Sequence, residues 1–281
     1  VHTTLVTTIQ DLRSARAELT GTVALVPTMG ALHEGHLTLV RRARELADHV
    51  IVSDFVNPLQ FGPGEDFEAY PRDLETDLAA VDSLADLVFA PALTEMYPTG
   101  RPQVSVSAGR LGTVLEGELR PGHYDGVVTV VAKLLNLTRP DLAVFGRKDA
   151  QQLAIIQSLV RDLDLPVRIE PVEIVREETG LARSSRNAYL DVRQREDALV
   201  LSRTIRAAQA AAPSAEGVLT VLEQAESTAA AGVVWDYARV VDPATFLGIT
   251  PHFRGEALVV LAARVGTTRL LDAAVVEVTA S

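Results

Sequence analysis

Four short stretches hold residue types suited to group-transfer chemistry. The first is PTMGALHEGHLTLVRRA, residues 27–43, where His33 and His36 stand three apart in a turn that also holds Gly30 and Gly35. An apolar run precedes it and an amphipathic run follows, so the turn joins a strand to a helix. A helix N-terminus offers free N–H groups and a positive dipole end, which suits phosphate. Histidines there can donate hydrogen bonds to phosphate oxygens and stabilise charge developing on a leaving group. Zinc fits less well. The metalloprotease pattern is His-Glu-x-x-His, with the histidines four apart on one helical face, and the chain has no cysteine to complete a site. From the spacing alone, two surface histidines in a turn are an equally good reading.

The second stretch, FVNPLQFGPGEDFEAYPRD (55–73), puts Asn57 and Gln60 after a strand and in a long loop marked by Pro58, Gly62, Pro63 and Gly64. Side-chain amides there can fix a small polar substrate, and long loops in compact domains are often functional. A turn capped by Asn57 is the plainer alternative. The third, FGRKDAQQLAIIQ (145–157), joins strand to helix through Gly146 and carries Lys148, Asp149 and Gln152. The lysine suits phosphate, and the aspartate suits either a helix N-cap or a ribose hydroxyl. The fourth, LARSSRNAYL (181–190), sets Ser184 and Ser185 between Arg183 and Arg186, a possible phosphate clamp or a polar loop. A further segment, LEGELRPGHYDGVVTVV (115–131), adds Arg120 and His123.

The elements that must position these residues follow from apolar periodicity. Strands are expected at 23–27, 49–56, 86–91, 103–108, 141–146 and 167–175, and helices at 36–48, 73–85, 126–137 and 150–163. Such alternation predicts a Rossmann-like, doubly wound α/β domain with a parallel sheet, over 1–175. Ligands then sit at the carboxyl ends of the strands. From 176 to 281 the pattern changes to Ala-rich helices (192–211, 214–231) and then strands (233–243, 257–266, 273–278), predicting a smaller α+β domain.

The 281 residues are 47% hydrophobic and 22% charged, with a net charge of −11. That balance argues against a nucleic-acid-coating surface but leaves room for a local basic pocket. No apolar run reaches the ~20 residues needed to span a bilayer. No cysteine and no signal-like pattern at 1–19 point to a soluble protein of the cytoplasm without nucleic-acid or membrane partners.

Taken together, the strings VPTMGALHEGHLTLV, FVNPLQF, AYPRD, VFAP, EMYP, LEGELRPGHYDGVVTVVAKLLNL, GRKDAQQL, SSRNAYL and ARVGTTRLLD resemble, in order and over almost the whole chain, the pantoate–β-alanine ligases. These belong to a nucleotidyltransferase superfamily marked by His-x-Gly-His and a mobile basic loop. His33-Glu34-Gly35-His36 is similar to the first signature, and Arg183-Ser184-Ser185-Arg186-Asn187 to the second. The resemblance implies ATP-dependent ligation of pantoate and β-alanine to pantothenate through pantoyl adenylate, with Mg²⁺, in a homodimer whose C-terminal domain acts as a lid. It implies catalytic roles for His33, His36, Lys148, Ser184, Ser185 and Arg186. It puts Pro27, Thr28, Met29, Gly30, Gly146 and Asp149 with that set around ATP. Met29, Asn57, Gln60, Tyr70, Arg120, His123 and Gln152 fall around pantoate and β-alanine, and Asp77 in the magnesium environment. The chain departs from the family's usual residues at Asp54, Arg147, Arg183 and Ala273. An aspartate in a buried parallel strand is costly unless paired or protonated. A dinucleotide-forming relative and a non-catalytic nucleotide-binding protein remain rival readings, the second because fold alone does not give function.

Overall fold

The computed structural model describes residues 2–228 and 232–279. It divides into two compact units, Val1–Gly146 with Ile155–Val172, and Arg147–Ala154 with Glu173–Ser281. Lys148, Asp149 and Gln152 thus group with the second unit, where the 3-10 turn Arg147–Asp149 packs on the last strand.

In chain order the elements are β1 (Thr4–Val6), α1 (Ile9–Glu18), β2 (Val23–Thr28), α2 (Glu34–Leu46), β3 (His49–Asp54), α3 (Leu74–Val81), β4 (Leu87–Phe89), α4 (Leu93–Met96), α5 (Glu116–Leu119), α6 (His123–Thr138), β5 (Leu142–Gly146), α7 (Ala150–Asp162) and β6 (Arg168–Val172). The second unit continues with α8 (Val192–Ala211), α9 (Ala215–Ser227), β7 (Val233–Val241), β8 (Gly255–Val265) and β9 (Thr268–Val278).

The first unit is the doubly wound parallel sheet expected from the alternation, with strand order β1-β4-β3-β2-β5-β6. Continuous apolar strands make it so. Val23, Ala24, Leu25 and Val26 of β2 and Val50, Ile51 and Val52 of β3 are fully buried, as a sheet covered on both faces requires. On α2, Val40 and Ala43 are buried, and Leu37, Leu39 and Leu46 pack against the same core. Fully burying a side chain such as Val40 stabilises the fold by roughly 1.5–3 kcal/mol. From β2 the chain moves to one side through β3 and β4, while β5 and β6 lie on the other. The strand order therefore reverses at β2, and the crevice beyond its carboxyl end is where this architecture takes ligands.

One expected strand is absent. Residues 103–108, QVSVSA, alternate like a strand but form none. Their backbone bonds side chains of α6 instead: the Val106 N–H donates to Thr129 Oγ1 and the Ala108 N–H to Asp125 Oδ1. Val104 is left exposed, so the alternation has no apolar face to bury.

The second unit is the smaller α+β fold, an antiparallel sheet in the order β7-β8-β9 with α8 and α9 against it. Leu201, Ile205, Val218, Leu222, Val259, Leu261 and Val276 form its core. Asp191 and Gln194 cap α8 reciprocally, each side chain accepting from the other's N–H, a capping box. On sequence alone the helix after it extends to 231; residues 229–231 lie outside the described residues. The last strand starts at Thr268, not 273, because Gly266 and Thr267 make a two-residue hairpin turn that pairs Val265 with Thr268.

Candidate active site

At the reversal point the chain leaves β2, turns through Met29, Gly30 and Ala31, and enters α2 with His33 as its N-cap. His33 Nδ1 accepts from the Gly35 N–H (3.0 Å), and His36 Nδ1 accepts from the His33 N–H (3.4 Å). With both Nδ1 atoms accepting, each neutral ring carries its proton on Nε2, so both Nε2–H groups are donors. The rings stack with centroids 4.1 Å apart. A Cβ at Gly35 would lie 2.7 Å from His33 Cε1, so the glycine between the histidines is a steric requirement of this ring arrangement. The result is two imidazole donors beside the N-terminus of a 13-residue helix, an arrangement chemically suited to an anion.

The turn is tied down from α3. Asp77 Oδ2 accepts from the Ala31 N–H (2.8 Å) and Asp77 Oδ1 from the Leu32 N–H (2.7 Å). Thr28 Oγ1 donates to the Ser53 carbonyl (2.7 Å) and accepts from the Gly30 N–H (3.2 Å). The resemblance sets Asp77 near magnesium; in the fold it is buried, with each oxygen on a backbone amide. Asp54, at the end of β3, meets Asp77. Burial, then the Asp77 charge and a hydrogen bond to it, push the Asp54 carboxyl up to about 7.

Beyond β3 the second stretch folds into a polar cluster. Asn57 caps the 3-10 turn Pro58–Gln60, its Oδ1 accepting from the Leu59 N–H. Asn57 Nδ2 donates to Gln60 Oε1 (3.0 Å) and to the Gly126 carbonyl (3.1 Å). Gln60 Nε2 reaches Met29 Sδ at 3.2 Å, which brings the amide pair to the histidine turn. Behind Gln60, its carbonyl accepts from His123 Nδ1 (2.7 Å) and Arg120 Nη2 (3.2 Å), and Arg120 Nη1 lies 3.1 Å from His123 Nε2. Burial and then the Arg120 charge press the His123 imidazole down to about 4. It is therefore neutral, with Nδ1–H as donor and Nε2 as acceptor. Arg120 also forks onto Glu65 (Nε–Oε1 2.7 Å, Nη2–Oε2 2.5 Å). Burial pushes the Glu65 carboxyl up, but the Arg120 hydrogen bonds and charge outweigh it and hold it below the usual range. Arg120 and His123 thus brace Gln60. Tyr70 is buried edge-on to Phe61.

In the second unit, Lys148 Nζ lies 3.4 Å from Asp149 Oδ1, and Gln152 sits in the first turn of α7. Arg147 Nε is 2.8 Å from Glu173, so its added charge is balanced locally. Ser184 caps the 3-10 turn Ser185–Tyr189, accepting from the Arg186 N–H (3.3 Å). Asn187, buried, donates to Glu177 Oε1 and the Ala182 carbonyl. Arg195 bonds both Glu177 and the Asn187 carbonyl. Arg176 forks onto Asp272 at 2.7 and 2.8 Å.

The family model for pantoate-beta-alanine ligase matches residues 4–275. The chain belongs to the pantoate–β-alanine ligase family. It is 55% identical to the pantothenate synthetase of Acidothermus cellulolyticus over 94% of this chain and 89% of that one. The crystal structure of pantothenate synthetase from Thermus thermophilus aligns with a TM-score of 0.89 at 46% identity, covering 96% of this chain and 98% of that one. The pantoate-beta-alanine ligase of Francisella tularensis, solved with beta-gamma ATP and beta-alanine, aligns with a TM-score of 0.80 at 32% identity over 97% of each chain.

Sequence reasoning assigns no role to several residues that hold this ligase's polar clusters. Tyr97 donates from its hydroxyl to Asn57 Oδ1 (2.9 Å), and burial raises that phenol to about 12. Its only signal is an aromatic with a polar tip in EMYP. Glu65, Glu177, Arg176 and Asp272 are ordinary charges in sequence and become braces only through partners distant along the chain.

Proposed function

We propose that this ligase joins pantoate to β-alanine in two ATP-dependent steps. A pantoate carboxylate oxygen attacks the α-phosphorus of ATP, and pyrophosphate leaves from it, giving pantoyl adenylate. The neutral amine of β-alanine then attacks the acyl carbon and loses a proton, and AMP departs with the phosphate oxygen. The observation that carries this reading is the pair of stacked histidines, both bonded at Nδ1, at the α2 N-terminus beyond the strand reversal. In the adenylation transition state, negative charge grows on the phosphate oxygens. Two Nε2–H donors already in position stabilise it without reorganising. In this reading Pro27, Thr28, Met29 and Gly30 form the wall beside the nucleotide. Lys148, Ser184, Ser185 and Arg186 hold the phosphates, and Asp149 holds the ribose. Gln60 takes a pantoate oxygen with Gln152, while Asn57, Tyr97, Arg120 and His123 keep Gln60 in place, which aligns the attacking carboxylate.

Magnesium accompanies ATP in this scheme. Among the described residues no group of three or more His, Cys, Asp or Glu side chains could hold a metal ion, and Asp77 is committed to amides. The described residues therefore form no metal cage of their own. Phosphate oxygens and water are Mg²⁺'s usual partners in such sites. Among the described residues no helix is long and apolar enough to cross a membrane. The resemblance also supports a homodimer, which light scattering checks directly.

A coupled assay for AMP tests the activity. AMP should form only when ATP, pantoate and β-alanine are all present. ATP binding without AMP release under those conditions favours a binding protein. Transfer of the adenylyl group to a nucleotide acceptor favours the dinucleotide-forming reading.

A further inference from the structure

An amide side chain has an accepting end and a donating end of similar size, so the place of Gln60 does not by itself decide which end faces a substrate. Two backbone groups decide it. The Leu59 N–H donates to Asn57 Oδ1 (3.3 Å), and the Gly126 carbonyl of α6 accepts from Asn57 Nδ2 (3.1 Å). A backbone N–H only donates and a carbonyl only accepts, so the Asn57 amide has one permitted sense. The close approach behind this needs a glycine, since a Cβ at Gly126 would lie 2.6 Å from the Gln60 backbone nitrogen. Asn57 Nδ2 gives its second hydrogen to Gln60 Oε1 (3.0 Å). Reversing Gln60 would set N–H against N–H. Gln60 therefore keeps its oxygen inward and sends its nitrogen to the histidine turn. The partner it meets there is Met29 Sδ at 3.2 Å. A thioether is a weak acceptor, and Gln60 is only 9% exposed, so a largely buried donor is left poorly matched by the protein.

The other lone pair of Asn57 Oδ1 accepts from the Tyr97 hydroxyl at 2.9 Å. Tyr97 is itself fixed: it is buried, and Lys133 Nζ bonds the neighbouring Met96 carbonyl and lies 5.3 Å from the centre of the tyrosine ring. We infer that Tyr97 is a positioning residue for the acid substrate: acting through Asn57, its hydroxyl holds Gln60 with the amide nitrogen outward, which makes this subsite one for hydrogen-bond acceptors, the oxygens of a carboxylate or hydroxyl. The ammonium end of β-alanine would meet N–H with N–H there, so the same polarity keeps that end out of the acid's place. The inference rests on the reading that Gln60 meets pantoate.

Steady-state kinetics, pantoate binding and melting temperature are measured for Tyr97→Phe, Asn57→Ala, the double variant, Gln60→Ala and Gln60→Glu. Tyr97→Phe leaves one Oδ1 lone pair unmatched and should raise the KM for pantoate about 3- to 10-fold. A bond that serves ground and transition states alike affects KM and spares kcat, so kcat and the KM for ATP should stay within about 2-fold. Asn57→Ala should raise the pantoate KM further. Adding Tyr97→Phe to it should then change that KM by less than about 2-fold, because Tyr97 acts through Asn57. Gln60→Glu keeps the shape but turns an acceptor outward, and should bind pantoate no better than Gln60→Ala. A Tyr97→Phe enzyme with the wild-type pantoate KM overturns the inference, as does one whose KM for ATP rises equally. So does the same Tyr97→Phe penalty with and without Asn57, or a Gln60→Glu enzyme that binds pantoate as the wild type does. If Asn57→Ala does not fold, Tyr97→Phe and Gln60→Glu decide by the same criteria. Normal pantoate binding by Gln60→Ala instead overturns the reading of Gln60 as a pantoate contact.

Discussion

The histidine turn after β2 and the basic loop 183–187 are both assigned to phosphate, but they are held in opposite ways. In the turn, a buried carboxylate grips two backbone amides, and each imidazole is fixed by a further N–H. In the loop, the fastening is arginine to carboxylate: Arg176 with Asp272 and Arg195 with Glu177, with Asn187 between. Moving the turn would take the part-buried amides of Ala31 and Leu32 from their carboxylate acceptor, and a hydrogen bond to a charged group is worth about 1.5–3 kcal/mol. Moving the loop exchanges one partner of a partly exposed pair for water, a smaller and salt-dependent cost. The turn is built to be rigid and the loop to be adjustable, apart from the buried Asn187 and the deepest anchor, Asp272.

That anchor gives the largest test of the comparison. The Asp272 side chain is 1% exposed and Arg176's is 29%, and removing one partner of a buried pair costs about 3–5 kcal/mol. Asp272→Ala should lower stability by that order in chemical denaturation, while Glu177→Ala, beside the more exposed Arg195, should cost much less. Equal losses would erase the difference drawn within the loop.

Next comes His123, which braces Gln60. Its folded value of about 4 lies below its ordinary 6.5, so between these values the unfolded chain binds a proton that the folded one does not. The stability this contributes is fully present above pH 6.5 and is lost as pH falls towards 4. It amounts to about 3 kcal/mol over that window. Stability measured against pH should show this slope in the wild type and a shallower one in His123→Gln.

Gly35→Ala aims at the turn itself, because the added methyl meets the His33 ring. Adenylation should slow about 100-fold with a much smaller change in melting temperature; an unchanged rate would show that the ring position does not matter. The smallest effect belongs to Arg147, whose charge is spent on Glu173, itself 85% exposed. Arg147→Ala should change stability by no more than about 0.5 kcal/mol and leave the KM for ATP close to wild type.

The difference between turn and loop also marks what is legible in the sequence. β2, β3 and β5 are plain as apolar runs, and the glycines and histidines after β2 announce a strand-to-helix turn at a ligand site. The helices of the second unit are plain from their Ala-rich periodicity. β1 and α1 escape the sequence reading, because a three-residue strand and a short polar helix leave little periodic signal. QVSVSA misleads because its alternation matches a strand, while its amides bond Thr129 and Asp125. Harder still are the braces. Nothing local says that Asp77 grips Ala31 and Leu32, that Asp272 holds Arg176, or that Tyr97 completes Asn57, since each partner lies on a different element and is chosen by the fold. Asp54 is anomalous in sequence as a charge in a strand, and burial beside the Asp77 charge raises its carboxyl to about 7.

The central claim is that the histidine pair beyond β2 drives adenylation. The most direct measurement is single-turnover formation of pantoyl adenylate from ATP and pantoate, without β-alanine, by the wild type and His36→Ala. The account predicts a rate lower by about two or more orders of magnitude in the variant, with ATP binding and melting temperature near wild type. Adenylate formed by His36→Ala at the wild-type rate would contradict it.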